Sequence, residues 1–185
     1  MNVERQLDPE ALGDHIDRLY RAAWSLCGSR EEAEDLVQET FERVLRRPRF
    51  LHAEDDVGYL LRVLRNTFFS ARRAAGRRPH TTSLPDDIDL VEDPSAPAAE
   101  SRLESAELYA AIARLPNDFR DALVAIDVVG LSYNEAARAL RVREATITTR
   151  LHRARQRVAH DLGRTPVSDR PPGPSTPPAS AAQRP

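Results

Sequence analysis

Apolar residues recur at spacings of three and four along the N-terminal part of the chain, a pattern that predicts amphipathic helices with one buried face. Ser29 and Glu32 have the spacing of a capping box, which predicts the start of a helix. Pro48 ends that helix because proline breaks the hydrogen-bond ladder. Three helices are therefore expected, over about residues 9–28, 29–48 and 57–76. Their predicted buried positions are Leu12, Ile16, Leu19, Ala23, Leu26, Ala33, Leu36, Val37, Phe41, Val44, Leu45, Val57, Leu60, Leu61, Leu64 and Phe68.

The same spacing resumes in the C-terminal part and predicts a second helical block. Pro116 suits the first turn of a helix, Gly130 suits the left-handed cap that ends one, and Ser132 with Glu135 repeats the capping-box spacing. The expected helices cover about residues 103–113, 116–130, 133–140 and 144–162. Their predicted buried positions are Leu103, Ala106, Ala110, Ala113, Phe119, Leu123, Ile126, Ile147, Leu151, Ala154, Val158 and Leu162. The last two helices, joined by a short turn, have the layout of a helix-turn-helix.

Between the two blocks, residues 77–100 show no apolar periodicity, and residues 77–99 carry four prolines and five acidic residues. Such a segment is too polar to pack, so we expect a flexible linker there. Seven prolines follow Arg164, and we expect residues 164–185 to form a disordered tail. The predicted fold is therefore all-α, with two small helical bundles, residues 9–76 and 101–163, that fold separately.

The composition supports this fold and indicates the cellular compartment. Aromatic residues make up 5% of the 185 residues, which disfavours a β-rich core. A single cysteine, Cys27, excludes a disulfide framework and a cysteine-rich zinc site, and suits a reducing compartment. No apolar run is long enough to cross a bilayer, and the acidic N-terminus lacks a signal-peptide pattern. We expect a cytoplasmic protein that does not bind membranes.

Charge is distributed unevenly, although the net charge is only -2. Six arginines and no acid lie between Arg62 and Arg78, and seven arginines accompany the single Glu144 between Arg138 and Arg157. Basic clusters of this kind suit a phosphate backbone. All 27 basic residues are arginine, which codon bias explains better than selection for phosphate contacts.

The last predicted helix separates an apolar face from a polar one. Ile147, Leu151 and Ala154 share the buried side, which leaves Thr149, His152, Arg153 and Gln156 on the opposite side. Hydroxyl, amide and guanidinium groups can read base edges or bind phosphates. The pattern alone is equally compatible with a solvated helix in a bundle, so it leaves the choice open.

Two stretches of sequence resolve that choice through a resemblance. The run GLSYNEAARALRVREATITTRLHRAR, residues 130–155, resembles the promoter-binding domain of the extracytoplasmic-function sigma factors of bacterial RNA polymerase. The run EDLVQETF, residues 34–41, resembles that family's core-polymerase-binding helix, and Arg65 with Asn66 resembles its promoter-melting segment. The resemblance covers about residues 12–76 and 103–160, and two ordered matches are more specific than one.

The resemblance implies a transcription initiation factor that binds core RNA polymerase, through the β′ clamp coiled coil and the β flap, and promoter DNA. It implies sigma region 2 over residues 9–76, sigma region 4 over residues 101–163, and a cognate anti-sigma factor. The residues that it assigns to polymerase binding are Asp35, Leu36, Gln38, Glu39 and Glu42. The charged members form a polar stripe at helical spacing, which without the resemblance would be interpreted as an ordinary solvated face.

The resemblance also assigns residues to the two promoter elements. At the −10 element these are Phe50, His52, Arg62, Arg65, Asn66, Arg72 and Arg73, with a loop at residues 49–56 that captures a flipped base. At the −35 element they are Thr146, Thr148, Thr149, Arg150, His152, Arg153 and Gln156. Departures from the family pattern affect promoter sequence rather than fold, and they are Tyr59, Ser70, Arg141, Ala145 and Thr148.

Catalytic interpretations find little support in the sequence. The five histidines form no HExxH-type pair, and there is no glycine-rich phosphate loop or nucleophile elbow. Asp35 and Glu39 have a spacing that a metal accepts, but no further ligand is evident. We therefore expect no catalytic residue, metal or cofactor. The alternatives are a helix-turn-helix regulator that acts without joining polymerase and a metal-dependent nuclease.

Overall fold

A computed structural model of the chain describes residues 4–6, 10–46, 50–52, 56–75 and 99–164. Within these ranges the helices are α1 (Ile16–Cys27), α2 (Arg30–Arg46), α3 (Asp56–Ala75), α4 (Ala99–Ala113), α5 (Asn117–Leu123), α6 (Tyr133–Leu140) and α7 (Glu144–Asp161). Two short strands, β1 (Glu4–Gln6) and β2 (Phe50–His52), pair in antiparallel fashion. The all-α prediction is confirmed. The expected linker and tail lie almost entirely outside the described residues.

Helices α1 to α3 form the N-terminal bundle around a core in which Leu19, Leu60 and Leu64 are completely buried. Gly28 ends α1 in the left-handed conformation, with φ at 81°. At the start of α2 the Glu32 amide donates to Ser29 Oγ at 3.5 Å, which is one half of the predicted capping box. The prediction of a loop over residues 49–56 is wrong in part, because Phe50–His52 is a strand that pairs with β1, which the sequence pattern did not reveal.

Three predicted core positions are exposed. Ile16 is 46% exposed at the first residue of α1, at the end of the apolar face. Leu45 is 51% exposed in the last turn of α2, beyond the core. Leu103 is 63% exposed because α4 buries only its far end, at Ala111 and Ile112.

Helices α4 to α7 form the C-terminal bundle, and most of its local signals are confirmed. Gly130 adopts a φ of 80°, and the capping box at Ser132 is complete, with Glu135 Oε2 accepting from the Ser132 amide at 2.7 Å. After α5 the chain widens into a π-helical turn, Val124–Val128, where one continuous helix was expected. The turn between α6 and α7 places Arg141 in the left-handed region, with φ at 57°.

The two bundles pack against each other through α1 with α4 and through α3 with α6. Trp24 stacks on Tyr109 with ring centroids 4.2 Å apart. A Cβ at Gly28 would lie 3.1 Å from the Cβ of Ala113, so the close approach at this point requires glycine. The arrangement therefore brings α3 and the helix-turn-helix together, which determines the state of the candidate functional residues.

Candidate nucleic-acid interface

Helix α7 is held by a continuous apolar stripe and presents the opposite side to solvent. Ile147, Leu151 and Ala154 are buried against the rest of the bundle. Four side chains on the other side are exposed, as their spacing predicts, and these are Thr149, His152, Arg153 and Gln156. We call these four residues the recognition face. Thr146 and Thr148 are half-buried at its edge, so they are less available than the sequence suggests.

The arginines of α7 differ in what they contact. Arg150 donates to Asp118 at 2.6 Å, and Arg155 makes two bonds to Asp127, at 2.7 and 3.0 Å. Arg153 is exposed, and in the described part of the chain it forms no hydrogen bond or ion pair. Arg153 is therefore the best placed of the three for a base edge, whereas Arg150 is half-buried beside its partner.

On α3 the predicted promoter-binding arginines lie against the C-terminal bundle. Arg62 donates from Nε to the carbonyl oxygen of Ala139 at 3.2 Å and from Nη2 to that of Arg138 at 3.3 Å. Arg65 donates from Nε to Asp121 Oδ2 at 2.6 Å, and its guanidinium lies 4.9 Å from the ring centroid of Phe69. In this arrangement both arginines are held by the other bundle.

The carboxylate that holds Arg65 is itself deeply placed, since Asp121 is only 5% exposed. Burial raises the pKa of the Asp121 carboxyl, while Arg65 and Arg120 act in the opposite direction. Its second oxygen, Oδ1, has no hydrogen-bond partner among the described residues. The contact with Arg65 therefore compensates this buried charge only in part.

The remaining predicted −10 residues are more accessible or lie elsewhere. Asn66 is exposed on α3, one position beyond Arg65. Arg72 and Arg73 are exposed near the end of α3, where Arg72 lies 5.5 Å from the ring centroid of Phe68. The backbone of β2 contains Phe50 and His52, paired with Gln6 and Glu4 of β1. Within the predicted −10 set, Asn66, Arg72 and Arg73 are therefore exposed. Arg62 and Arg65 are instead engaged by the C-terminal bundle.

On α2 the predicted polymerase-binding residues form an exposed stripe, except for one member. The side chains exposed to solvent are Asp35, Gln38, Glu39 and Glu42. Two of them pair along the helix, Glu39 with Arg43 at 2.6 Å and Glu42 with Arg46 at 3.0 Å, and exposed pairs of this kind are weak. Leu36 is 6% exposed, so it supports the stripe from the core.

Sequence reasoning missed the acidic residues that hold the arginines, and it missed Arg120. Asp118 and Asp127 lie in the C-terminal bundle and engage arginines of α7 across 32 and 28 positions. Arg120 is 2% exposed in α5. A signal for it exists, because Arg120 precedes the buried Leu123 and Val124 by three and four positions and so occupies the apolar face.

The described ranges contain neither a cluster of metal ligands nor a helix that could span a membrane. No group of three or more histidine, cysteine, aspartate or glutamate residues lies there with the proximity that a metal ion needs. Among the helices described, none is both long and apolar enough to span a bilayer.

Comparison with known proteins gives ordered matches. The sigma-70 region 2 family matches residues 12–78, and the sigma-70 region 4 family matches residues 105–158. The ECF RNA polymerase sigma factor SigE of Mycolicibacterium smegmatis is 40% identical over 159 residues, which cover 84% of this chain and 61% of that protein. The ECF sigma factor EcfG of Rhodopseudomonas palustris is 34% identical, with 78% of each chain covered. The sigma factor RpoE of Bartonella quintana, solved with the anti-sigma factor NepR, superposes with a TM-score of 0.63 at 25% identity, covering 88% of this chain and 100% of that one.

Proposed function

This chain belongs to the extracytoplasmic-function sigma factors, and we propose from that membership that it binds core RNA polymerase and directs promoter-specific initiation of transcription. The observation that carries the proposal is the presence, in order on one chain, of sigma-70 regions 2 and 4. A regulator that acts without joining polymerase has no use for region 2. We further propose that the protein acts in the cytoplasm, beside the polymerase, and has no enzymatic activity of its own.

We propose a division of labour between the bundles. Residues 9–76 bind core polymerase and the −10 element, and residues 101–163 bind the −35 element. Support for the second role comes from the recognition face, which is exposed and carries hydroxyl, imidazole, guanidinium and amide groups suited to base edges. Arg150, held by Asp118 beside that face, would contact a phosphate rather than a base.

For the −10 element we propose Asn66 as the base-reading residue, supported by its exposure on α3. Arg62 and Arg65 would bind the phosphate backbone on either side of it. Both are engaged by the C-terminal bundle in this structure, at Ala139 and Asp121. Full contact with the −10 element therefore requires the bundles to separate, and the structure corresponds to a closed form.

We propose that the acidic stripe of α2 docks on the β′ clamp coiled coil and that the C-terminal bundle meets the β flap. Support for the first contact is the exposure of Asp35 and Glu39 on one side of α2, backed by the buried Leu36. An anti-sigma factor that recognises this chain is a further proposal. It is supported by the similarity to RpoE of Bartonella quintana, which was solved with an anti-sigma factor bound.

Charge reversal at Asp35→Arg with Glu39→Arg tests the docking assignment. We expect binding to purified core polymerase to fall by about ten-fold or more, because several exposed charges act together where each pair alone is worth about 0–1 kcal/mol. The matched control is Glu104→Arg with Glu107→Arg, which reverses two exposed acids on α4. Circular dichroism checks that helix content is unchanged in both.

Two outcomes would contradict the proposal at different levels. Equal loss of polymerase binding in the α4 control would remove the assignment to α2 but leave the function intact. If the unaltered protein bound promoter DNA and never associated with core polymerase, the helix-turn-helix regulator would be the correct function instead.

A further inference from the structure

A cleft of about 420 Å³ opens between the end of α3 and the start of α5. Arg72 and Arg73 line it from the N-terminal bundle, and Asn117 and Arg120 line it from the C-terminal bundle. No carboxylate is among the described residues that line it. The cleft therefore concentrates positive charge from both bundles in one place.

Arg120 is nearly buried where it meets this cleft, and only neutral acceptors bind it. It donates from Nη1 to the carbonyl oxygens of Leu26 and Ala113, at 3.2 and 2.9 Å, and from Nη2 to Asn117 Oδ1 at 2.7 Å. Its Nε is buried and has no hydrogen-bond partner within the described ranges. A buried guanidinium with an unused donor is costly, and an anion would compensate it.

The charges around Arg120 also favour binding of an anion. Burial lowers the pKa of its guanidinium, and Arg72 and Arg65 lower it further, whereas Asp121 raises it. The one carboxylate that helps is already bound to Arg65 at 2.6 Å. Among the groups that act on Arg120, the arginines Arg65 and Arg72 therefore outnumber the carboxylate of Asp121.

We propose that this cleft binds a small phosphate-bearing molecule that bridges the two bundles. Guanidinium groups bind phosphate oxygens through paired hydrogen bonds, and the volume falls within the ~300–1,000 Å³ typical of small-ligand pockets. Arg120 is only 2% exposed, so it would act on the ligand mainly through its charge, whereas the exposed Arg72 and Arg73 would contact the phosphate directly. Since ligand contacts come from both bundles, binding stabilises the closed form.

Calorimetric titration of the full chain with inorganic pyrophosphate tests the site, with ionic strength matched by sodium chloride. We expect Arg72→Gln with Arg73→Gln to weaken pyrophosphate binding by about ten-fold or more and to abolish its effect on the melting temperature. The matched control is Arg43→Gln with Arg46→Gln, an exposed pair on α2 with the same change in charge. The control should bind pyrophosphate as the unaltered protein does.

Equal affinity in the two double variants, or no binding beyond that of chloride, would overturn the site. A second arm uses a short single-stranded oligonucleotide, and failure of pyrophosphate to displace it from Arg72 and Arg73 would reassign these residues to nucleic acid. The regulatory consequence, weaker binding to −10 DNA when pyrophosphate is present, rests on the proposed function. The titration does not depend on that function, so the two can fail separately.

Discussion

Two helices in this molecule, α3 and α7, carry four arginines each but differ in how far these side chains are free to bind DNA. The recognition face of α7 is open to solvent, whereas Arg62 and Arg65 of α3 are held by the C-terminal bundle. Both were expected to bind DNA because of their arginines and the same family resemblance. The difference shows that a basic cluster predicts a surface suited to phosphate, but the packing between bundles decides whether that surface is free.

The partners of the two helices explain the difference. Arg150 and Arg155 of α7 bind Asp118 and Asp127 within their own bundle, so these contacts survive any movement between bundles. Arg65 of α3 crosses the interface to reach its carboxylate, 56 positions away. Opening the closed form therefore changes α3 and leaves the recognition face as it is.

The largest effect is expected from Asp121→Asn, which removes the charge that holds Arg65. We expect a loss of about 2–3 kcal/mol in stability, below the usual cost of breaking a fully buried pair because the Arg65 side chain keeps 32% of its surface exposed. Binding to a single-stranded −10 oligonucleotide should strengthen several-fold as α3 is released, while −35 binding stays constant. Chemical denaturation and fluorescence anisotropy measure the two effects.

Asp118→Asn is the matched control for this comparison. It frees Arg150 within the C-terminal bundle and leaves the interface between bundles intact. We expect stability to change by at most about 1 kcal/mol, since Asp118 is exposed. An increase in −10 binding with Asp118→Asn equal to that with Asp121→Asn would show that loss of any acid, rather than release of α3, is responsible.

The next largest effect is expected on the recognition face of α7. Arg153→Ala should cost about 1–3 kcal/mol in −35 binding and relax the preference at one base, because an arginine with no partner in the described chain is placed for a bidentate guanine contact. Arg150→Ala should weaken all −35 sequences about equally. Binding to a panel of single-base promoter variants distinguishes these roles, and uniform weakening with Arg153→Ala would assign it to phosphate.

A smaller effect is expected at the exposed position of α3. Asn66→Ala should lose about 1 kcal/mol of −10 binding, the typical net contribution of a hydrogen bond, and should alter preference only near the −10 element. The same panel, varied at the −10 element, measures this. A change in −35 preference would mean that the two bundles do not divide the promoter as proposed.

Local features of this fold were predictable because their causes lie within a few residues. The capping box at Ser132, the left-handed Gly130 and the bounds of α6 follow from adjacent side chains and were predicted correctly. The recognition face follows from helical geometry over about two turns. The prediction that Ile16 is buried was wrong, because periodicity places it on the apolar face but does not show that this face is exposed at the first residue of α1.

What the sequence could not reveal depends on contacts between distant segments. The partners of Arg62 lie 76 and 77 positions along the chain, and those of Arg120 include a carbonyl 94 positions away. Periodicity places both arginines on their helices, but it carries no information about the other bundle. The sequence therefore proposes site residues by their type, whereas whether each is exposed or covered depends on the three-dimensional arrangement.

The smallest predicted effect lies at the joint between the two surfaces, where Arg141 ends α6. Its φ of 57° is a left-handed conformation that costs a residue with a Cβ about 1–2 kcal/mol. Arg141→Gly removes that cost, but glycine also gains freedom in the unfolded chain, so we expect a net stabilisation of about 0.5–1 kcal/mol and a rise of a few degrees in melting temperature. Arg141→Ala is the control, because it removes the same charge and keeps the Cβ, and it should give no gain. Neither change touches the recognition face or Arg62 and Arg65, so −35 and −10 preferences should remain constant. If Arg141→Gly strengthened −10 binding as Asp121→Asn is expected to, the covered state of α3 would depend on the turn of the helix-turn-helix rather than on the ion pair that crosses the interface.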